Sequence, residues 1–205
     1  MRYVEINAFA RTIKLKEIPK HFYDGMKLLN PNSGMTSLVF EKDNNTVRIF
    51  TKDDMKKEWL CHEWGLNLGN HVDDINDTEF KDIHIIDMPK LYPLSPENKK
   101  VVNDILKAVK NASKKYNFNI HPYDMISALY DEIQKLKGKA KSMMMSFYNF
   151  ITNYDPKNQY GLDIALRNFK QTKRGRLVLL DPVADTELLH LFRNRYYIAN
   201  KRQYF

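Results

Sequence analysis

YGLDIALRNFKQTKRGRLVLLDPVAD, residues 160–185, places Asp163, Asn168 and Asp181 around one predicted hairpin. Gln171 to Gly175 is a basic turn signal, and the apolar run Leu177-Val178-Leu179-Leu180 has the length and composition of a buried strand that ends at Asp181. A hairpin of this kind brings two carboxylates and an amide to one rim. A long apolar helix candidate precedes Asp163. The plain alternative makes Asp163 and Asn168 turn or capping residues and Asp181 the end of a strand.

The 205 residues are 43% hydrophobic, enough for a sizeable core in one domain or two small lobes. The single cysteine, Cys61, excludes an internal disulfide and offers too few thiols for a zinc cluster, so a reducing, cytoplasmic setting is expected. Charges interrupt every apolar stretch of the amino terminus, and no segment reaches the length of a membrane span. A net charge of +8 favours polyanionic or phosphate-bearing partners through its field, unless the lysines simply coat solvated helix faces.

In chain order, Tyr3 to Phe9 is a strand candidate, and Asn30-Pro31-Asn32-Ser33-Gly34 is a cluster of turn formers. Strands are expected from Ser37 and over Thr46 to Thr51, with Asn44-Asn45 turning between them. A helix capped by Asp53 or Asp54 carries Met55, Trp59 and His62 on one face and ends before Gly65 or Gly69. Gly69 to Asp82 reads as an acidic surface loop. Cys61 and His62 read as packing residues, since no further Cys or His stands at metal-ligand spacing. Ile83 to Met88 is a strand stopped by Pro89. Ser95-Pro96 starts a helix that runs to about Tyr116. Two more helices follow, from about His121 to Gly138 and from Lys139 to Asn153, with Met143, Met144 and Met145 as core filling.

The Asp163 to Asn168 segment, followed by a hairpin and Asp181-Pro182-Val183, resembles the catalytic and metal-binding loops of protein kinases. There an Asp-x-x-x-x-Asn segment precedes a hairpin and Asp-Phe-Gly. Together with KLLNPNSGMTSLVF, TVRIFTKDDMKKEW and IHIIDMPKLYPL, it looks like the small phage-encoded early serine/threonine protein kinases. The likeness runs from about Lys27 to Asp185. It implies an α+β, protein-kinase-like two-lobed fold. Residues 1–88 would form a β-rich small lobe with one helix. Residues 89–205 would form a reduced, mainly helical lobe carrying the hairpin.

The resemblance also implies roles. Asp163 would be the catalytic base, and Asn168 and Asp181 would hold Mg2+ on the phosphates of ATP. The nucleotide would further meet Gly34 in the turn-rich loop, Arg48 or Lys52 at the phosphates with Glu58 as the acidic partner of that cation, and a hinge at Asp87 to Leu91 that includes Met88. The implied activity is phosphorylation of host proteins on serine or threonine during host takeover. Four departures stand out: Leu162 rather than His precedes Asp163, glycine is sparse near residue 34, Arg48 stands in for lysine, which it does not equal in reach or shape, and the carboxy-terminal lobe is cut short relative to an ordinary protein kinase.

Three rival readings accompany this one. A pseudokinase-like protein would bind a host or defence protein without phosphoryl transfer. A basic nucleic-acid-binding domain would use Arg193, Arg195, Tyr196 and Tyr197, although nucleic acid is the less favoured partner. A small-molecule phosphotransferase would share the same loop chemistry.

Overall fold

The computed structural model describes residues 13–30, 37–62, 65–76, 82–115, 122–153 and 160–185. Among them an antiparallel sheet of five strands is built from β1 (Lys27–Leu28), β2 (Ser37–Glu41), β3 (Thr46–Thr51), β4 (Asn70–Ile75) and β5 (Ile83–Pro89), in the order β1-β2-β3-β5-β4. Helix α1 (Asp54–Cys61) connects β3 to β4, and the Asp53 carboxylate accepts from the Lys56 backbone N–H at 3.0 Å, capping it as expected. Three longer helices follow: α2 (Pro96–Lys115), α3 (Pro122–Lys135) and α4 (Gly138–Asn153). The chain is therefore α+β, and no described helix is long and apolar enough to cross a membrane.

Both faces of the sheet are covered, and period-two alternation assigns each strand residue to one of them. Leu38, Phe40, Phe50, Ile83 and Ile85 pack beneath Ile13, Ile18, Phe22 and Tyr23 of the preceding segment. On the other face Val47, Ile49, Ile86 and Met88 join Met55, Trp59 and Leu60 of α1. That second cluster runs on into Val102 and Ile105, Leu129 and Ile133, and Phe147 and Phe150 of the three long helices. The core is thus continuous across the expected boundary at residue 88.

The acidic stretch after Gly69, expected as a loop, contains strand β4. It pairs with β5 from Asn70 opposite Asp87 to Ile75 opposite Ile83, with a bulge between His71 and Asp73. Residues 70–74 are exposed because β4 is the edge strand, so no apolar alternation marks it in the sequence. The three long helices fall within a residue or two of their expected bounds at nearly every end. The Tyr3 to Phe9 strand candidate and the cluster at residues 31–36 lie outside the described residues.

Arg48 and Asp87 face each other across β3 and β5, with contacts of 2.7 and 2.8 Å, and Lys42 joins Asp87 at 2.5 Å. Burial pushes the Asp87 carboxyl up, but hydrogen bonds from Arg48 and Lys42 outweigh it and hold its pKa below the usual value. Because the folded pKa lies below the unfolded one, this stabilisation is complete above the unfolded value and is lost as pH falls through the folded value. Asp87→Asn is expected to cost about 2 kcal/mol at neutral pH, between the figures for exposed and buried pairs. Urea unfolding of both proteins should show that difference closing in acid; a difference constant with pH would contradict the assignment.

Candidate active site

The residues around Asp163 form two small ladders. Strand β6 (Tyr160–Leu162) leads into Asp163 and pairs with β9 (Val183–Asp185), which leaves Asp181-Pro182. Strand β7 (Phe169–Gln171) follows Asn168 and pairs with β8 (Leu177–Leu179), which delivers Asp181. The expected hairpin is present. Its turn needs Gly175, whose φ of 77° lies in the left-handed region that a side chain disfavours. From the other side the Asn98 amide nitrogen of α2 donates to Gln171 Oε1 at 2.7 Å and to the Gly175 carbonyl at 3.0 Å, tying the hairpin to the helical layer.

Asn168 joins the two ladders. Its buried Nδ2 donates to the Asp163 carbonyl at 2.7 Å, to the Asp181 carbonyl at 2.8 Å and, more weakly, to the Asp163 carboxylate at 3.2 Å. The Asp163 N–H donates to the Pro182 carbonyl at 2.8 Å, and the Leu180 N–H donates to the Asn168 carbonyl at 2.8 Å. Asp163, Asn168 and Asp181, separated by five and thirteen positions, therefore meet as a single hydrogen-bonded unit. Two carbonyl acceptors identify the amide nitrogen, so Oδ1 is the atom turned away from these bonds.

Two cations complete the site, and sequence reasoning missed both. Arg167 holds both oxygens of the Asp163 carboxylate at 2.6 Å, an i,i+4 pairing exposed to solvent. Lys56 reaches from α1 to the Asp181 carboxylate at 3.1 Å. The available signal for Lys56 was its place three residues before Trp59 on the same helix face. Trp59 is buried against this hairpin, and its Nε1 donates to the Leu179 carbonyl at 2.6 Å. Helix α1 therefore fixes Lys56 beside Asp181.

The residues expected at the nucleotide are divided between the faces of the sheet. Met88 lies in the core cluster on the face that carries the hairpin. Arg48 alternates to the opposite face, where Asp87 and the Phe22 carbonyl take its guanidinium. Lys52 is 1% exposed and pairs with Glu17 at 3.4 Å. Glu58 is half-buried on α1, while Arg48 pairs with Asp87 and Lys52 with Glu17. Burial, with the Glu58 carboxylate adding to it, pushes the neighbouring Cys61 thiol up to about 11, which agrees with a packing role. Gly34, Arg193, Arg195, Tyr196 and Tyr197 lie outside the described residues.

At the expected hinge, β4 stops at Asn70 opposite Asp87, while β3 continues to pair with Met88 and Pro89. The Lys90 N–H donates to the Asn45 carbonyl at 2.7 Å, and Tyr92 then exchanges backbone hydrogen bonds with Gln171 at 2.8 and 3.0 Å. The strand leaving the sheet is thereby stitched to the hairpin that carries Asn168 and Asp181.

The donor set at the hairpin suits a hard cation. An amide oxygen and a carboxylate are oxygen ligands of the kind magnesium takes, with water and phosphate supplying the remainder. Lys56 already neutralises Asp181 in part, so a metal there would share or displace its ammonium. Comparison with family models, with curated proteins and with solved structures finds no match for this chain.

Proposed function

We propose that the chain is a protein-kinase-like phosphotransferase that moves the γ-phosphoryl group of ATP to serine or threonine of a protein, in the manner of the phage-encoded early kinases it resembles. The observation that carries this reading is the Asn168 amide binding Asp163 and Asp181 together at the mouth of the β7–β8 hairpin. Asp163 would orient the acceptor hydroxyl and take its proton. Asn168 and Asp181 would hold Mg2+, which when bound would neutralise charge on the phosphates. Lys56 would add a positive charge beside them, and Arg167 would hold the Asp163 carboxylate in place until an acceptor displaces it. Most of the rate gain would come from positioning and charge neutralisation. The two-lobed kinase fold belongs to this proposal, as does a host protein in the host cytoplasm as the acceptor.

A specific observation favours the second reading, a pseudokinase-like binding protein that inhibits a host or defence protein. Arg48 and Lys52, the residues expected at the phosphates, are both held in ion pairs, with Asp87 and Glu17. Purified protein tested for magnesium-dependent ATP binding and autophosphorylation, beside Asp181→Ala, separates the two. A kinase loses both metal-dependent binding and transfer in the variant. Nucleotide binding with no transfer to itself or to protein substrates would support the pseudokinase reading, and no nucleotide binding at all would overturn the proposal.

A further inference from the structure

The β4–β5 edge carries a second group of chemically active side chains, independent of the hairpin site. His71 and Asp74 stand three positions apart on β4, a spacing that in a regular strand points side chains to opposite faces. The bulge between His71 and Asp73 inserts one extra residue, so His71 comes opposite Ile86 and Asp74 opposite His84. Ile86 belongs to the core cluster on the α1 face, and His84 reaches Asp54 of α1, so the bulge brings His71 and Asp74 to the same face as His84.

The result is a compact set of ligand atoms. Asp74 Oδ1 lies 2.8 Å from His71 Nε2 and 2.6 Å from His84 Nδ1, and the two imidazole rings are inclined at 67°. His84 is 6% exposed, and its far nitrogen, Nε2, is 2.6 Å from the Asp54 carboxylate at the start of α1. A buried imidazole that gives one nitrogen to a carboxylate and turns the other towards two further donors has the orientation found in carboxylate–histidine–metal arrangements. His71 and Asp74 are exposed, which leaves the outer side open to water.

We propose that His71 Nε2, Asp74 and His84 Nδ1 form a binding site for one divalent transition metal of the zinc class, with Asp54 orienting His84 and water filling the open position. Metal–ligand bonds of about 2.0–2.2 Å put tetrahedral donors about 3.3–3.6 Å apart, so each of the two contacts to Asp74 needs to open by about 0.5–1.0 Å. Two imidazoles with one carboxylate suit zinc, cobalt or nickel, whereas the oxygen donors of the hairpin suit magnesium. Binding would release the protons now shared between Asp74 and the rings. The bound ion would clamp the edge strand to β5 and, through Asp54, to α1.

The test is titration of untagged protein with zinc by calorimetry and with cobalt by its visible absorption, at neutral pH. The expected result is saturable one-to-one binding with the intense cobalt spectrum of a four-coordinate site. His71→Ala removes an exposed ligand and should leave the fold intact by circular dichroism while weakening binding by at least about a hundredfold. Asp54→Asn should weaken binding by about tenfold or more through its effect on His84. Zinc should also raise the melting temperature of the parent protein and not that of His71→Ala. Absence of saturable binding, or equal affinity in the parent and His71→Ala, would overturn the proposal.

Discussion

Under the proposed phosphotransferase function, Asp163→Ala is expected to lower magnesium-dependent phosphoryl transfer by about 10²–10⁴-fold, the range for removal of a general base, while nucleotide binding persists. The structure separates this effect from a loss of fold. Asn168 Nδ2 keeps its two strong contacts, to the backbone carbonyls of residues 163 and 181, when the Asp163 side chain is removed. What disappears is the weaker 3.2 Å contact and the exposed pair with Arg167, together worth on the order of 1 kcal/mol or less. Single-turnover transfer at saturating ATP, with the melting temperature measured alongside, provides the check. A variant that folds normally and retains transfer within about threefold of the parent would remove Asp163 from the base role.

The largest expected effect on stability belongs to Trp59. Its indole is 1% exposed and meets Phe147 and Phe150 of α4 edge-on at centroid distances of 5.7 and 5.0 Å. Its Nε1 also satisfies the carbonyl of Leu179 in the hairpin. One side chain thus joins α1, the helical layer and the strand that delivers Asp181. Trp59→Ala should cost about 3–5 kcal/mol through the cavity it leaves, a large share of the stability of a typical domain. Trp59→Phe retains most of the ring contact but leaves the Leu179 carbonyl without its donor, and should cost about 1–3 kcal/mol. Urea unfolding should rank the two in that order. If Phe costs as much as Ala, the hydrogen bond to Leu179 dominates and the packing argument fails.

Much of this architecture is legible one segment at a time. The α2 helix carries its start signal at Ser95-Pro96, and the Ser95 hydroxyl accepts from the Asn98 N–H at 3.2 Å. The hairpin carries its turn chemistry in Thr172 to Gly175 and its buried strand in Leu177 to Leu179. Strand β4 was illegible for an equally local reason. An edge strand whose residues 70–74 are exposed needs no apolar alternation, and its charged residues imitate a loop. The β6–β9 ladder was missed because Tyr160-Gly161-Leu162 and Val183-Ala184-Asp185 lack the continuous apolar run that marks Leu177 to Leu179.

The candidate site divides along the same line. The spacing of Asp163, Asn168 and Asp181, with a hairpin between the last two, already specifies that these groups converge, because a tight turn returns the chain to its starting point. Lys56 is 125 positions from Asp181, and nothing local to either residue names the other. For Arg48 the sequence determines strand parity: Val47 and Ile49 share one face, Arg48 and Phe50 the other. It does not determine which face meets the hairpin, since here both are covered, one by residues 13–23 and one by α1 and the helices. That choice depends on how the layers stack, a balance of apolar area summed over the whole core, and only the tertiary structure places Arg48 with Asp87 and Lys56 with Asp181.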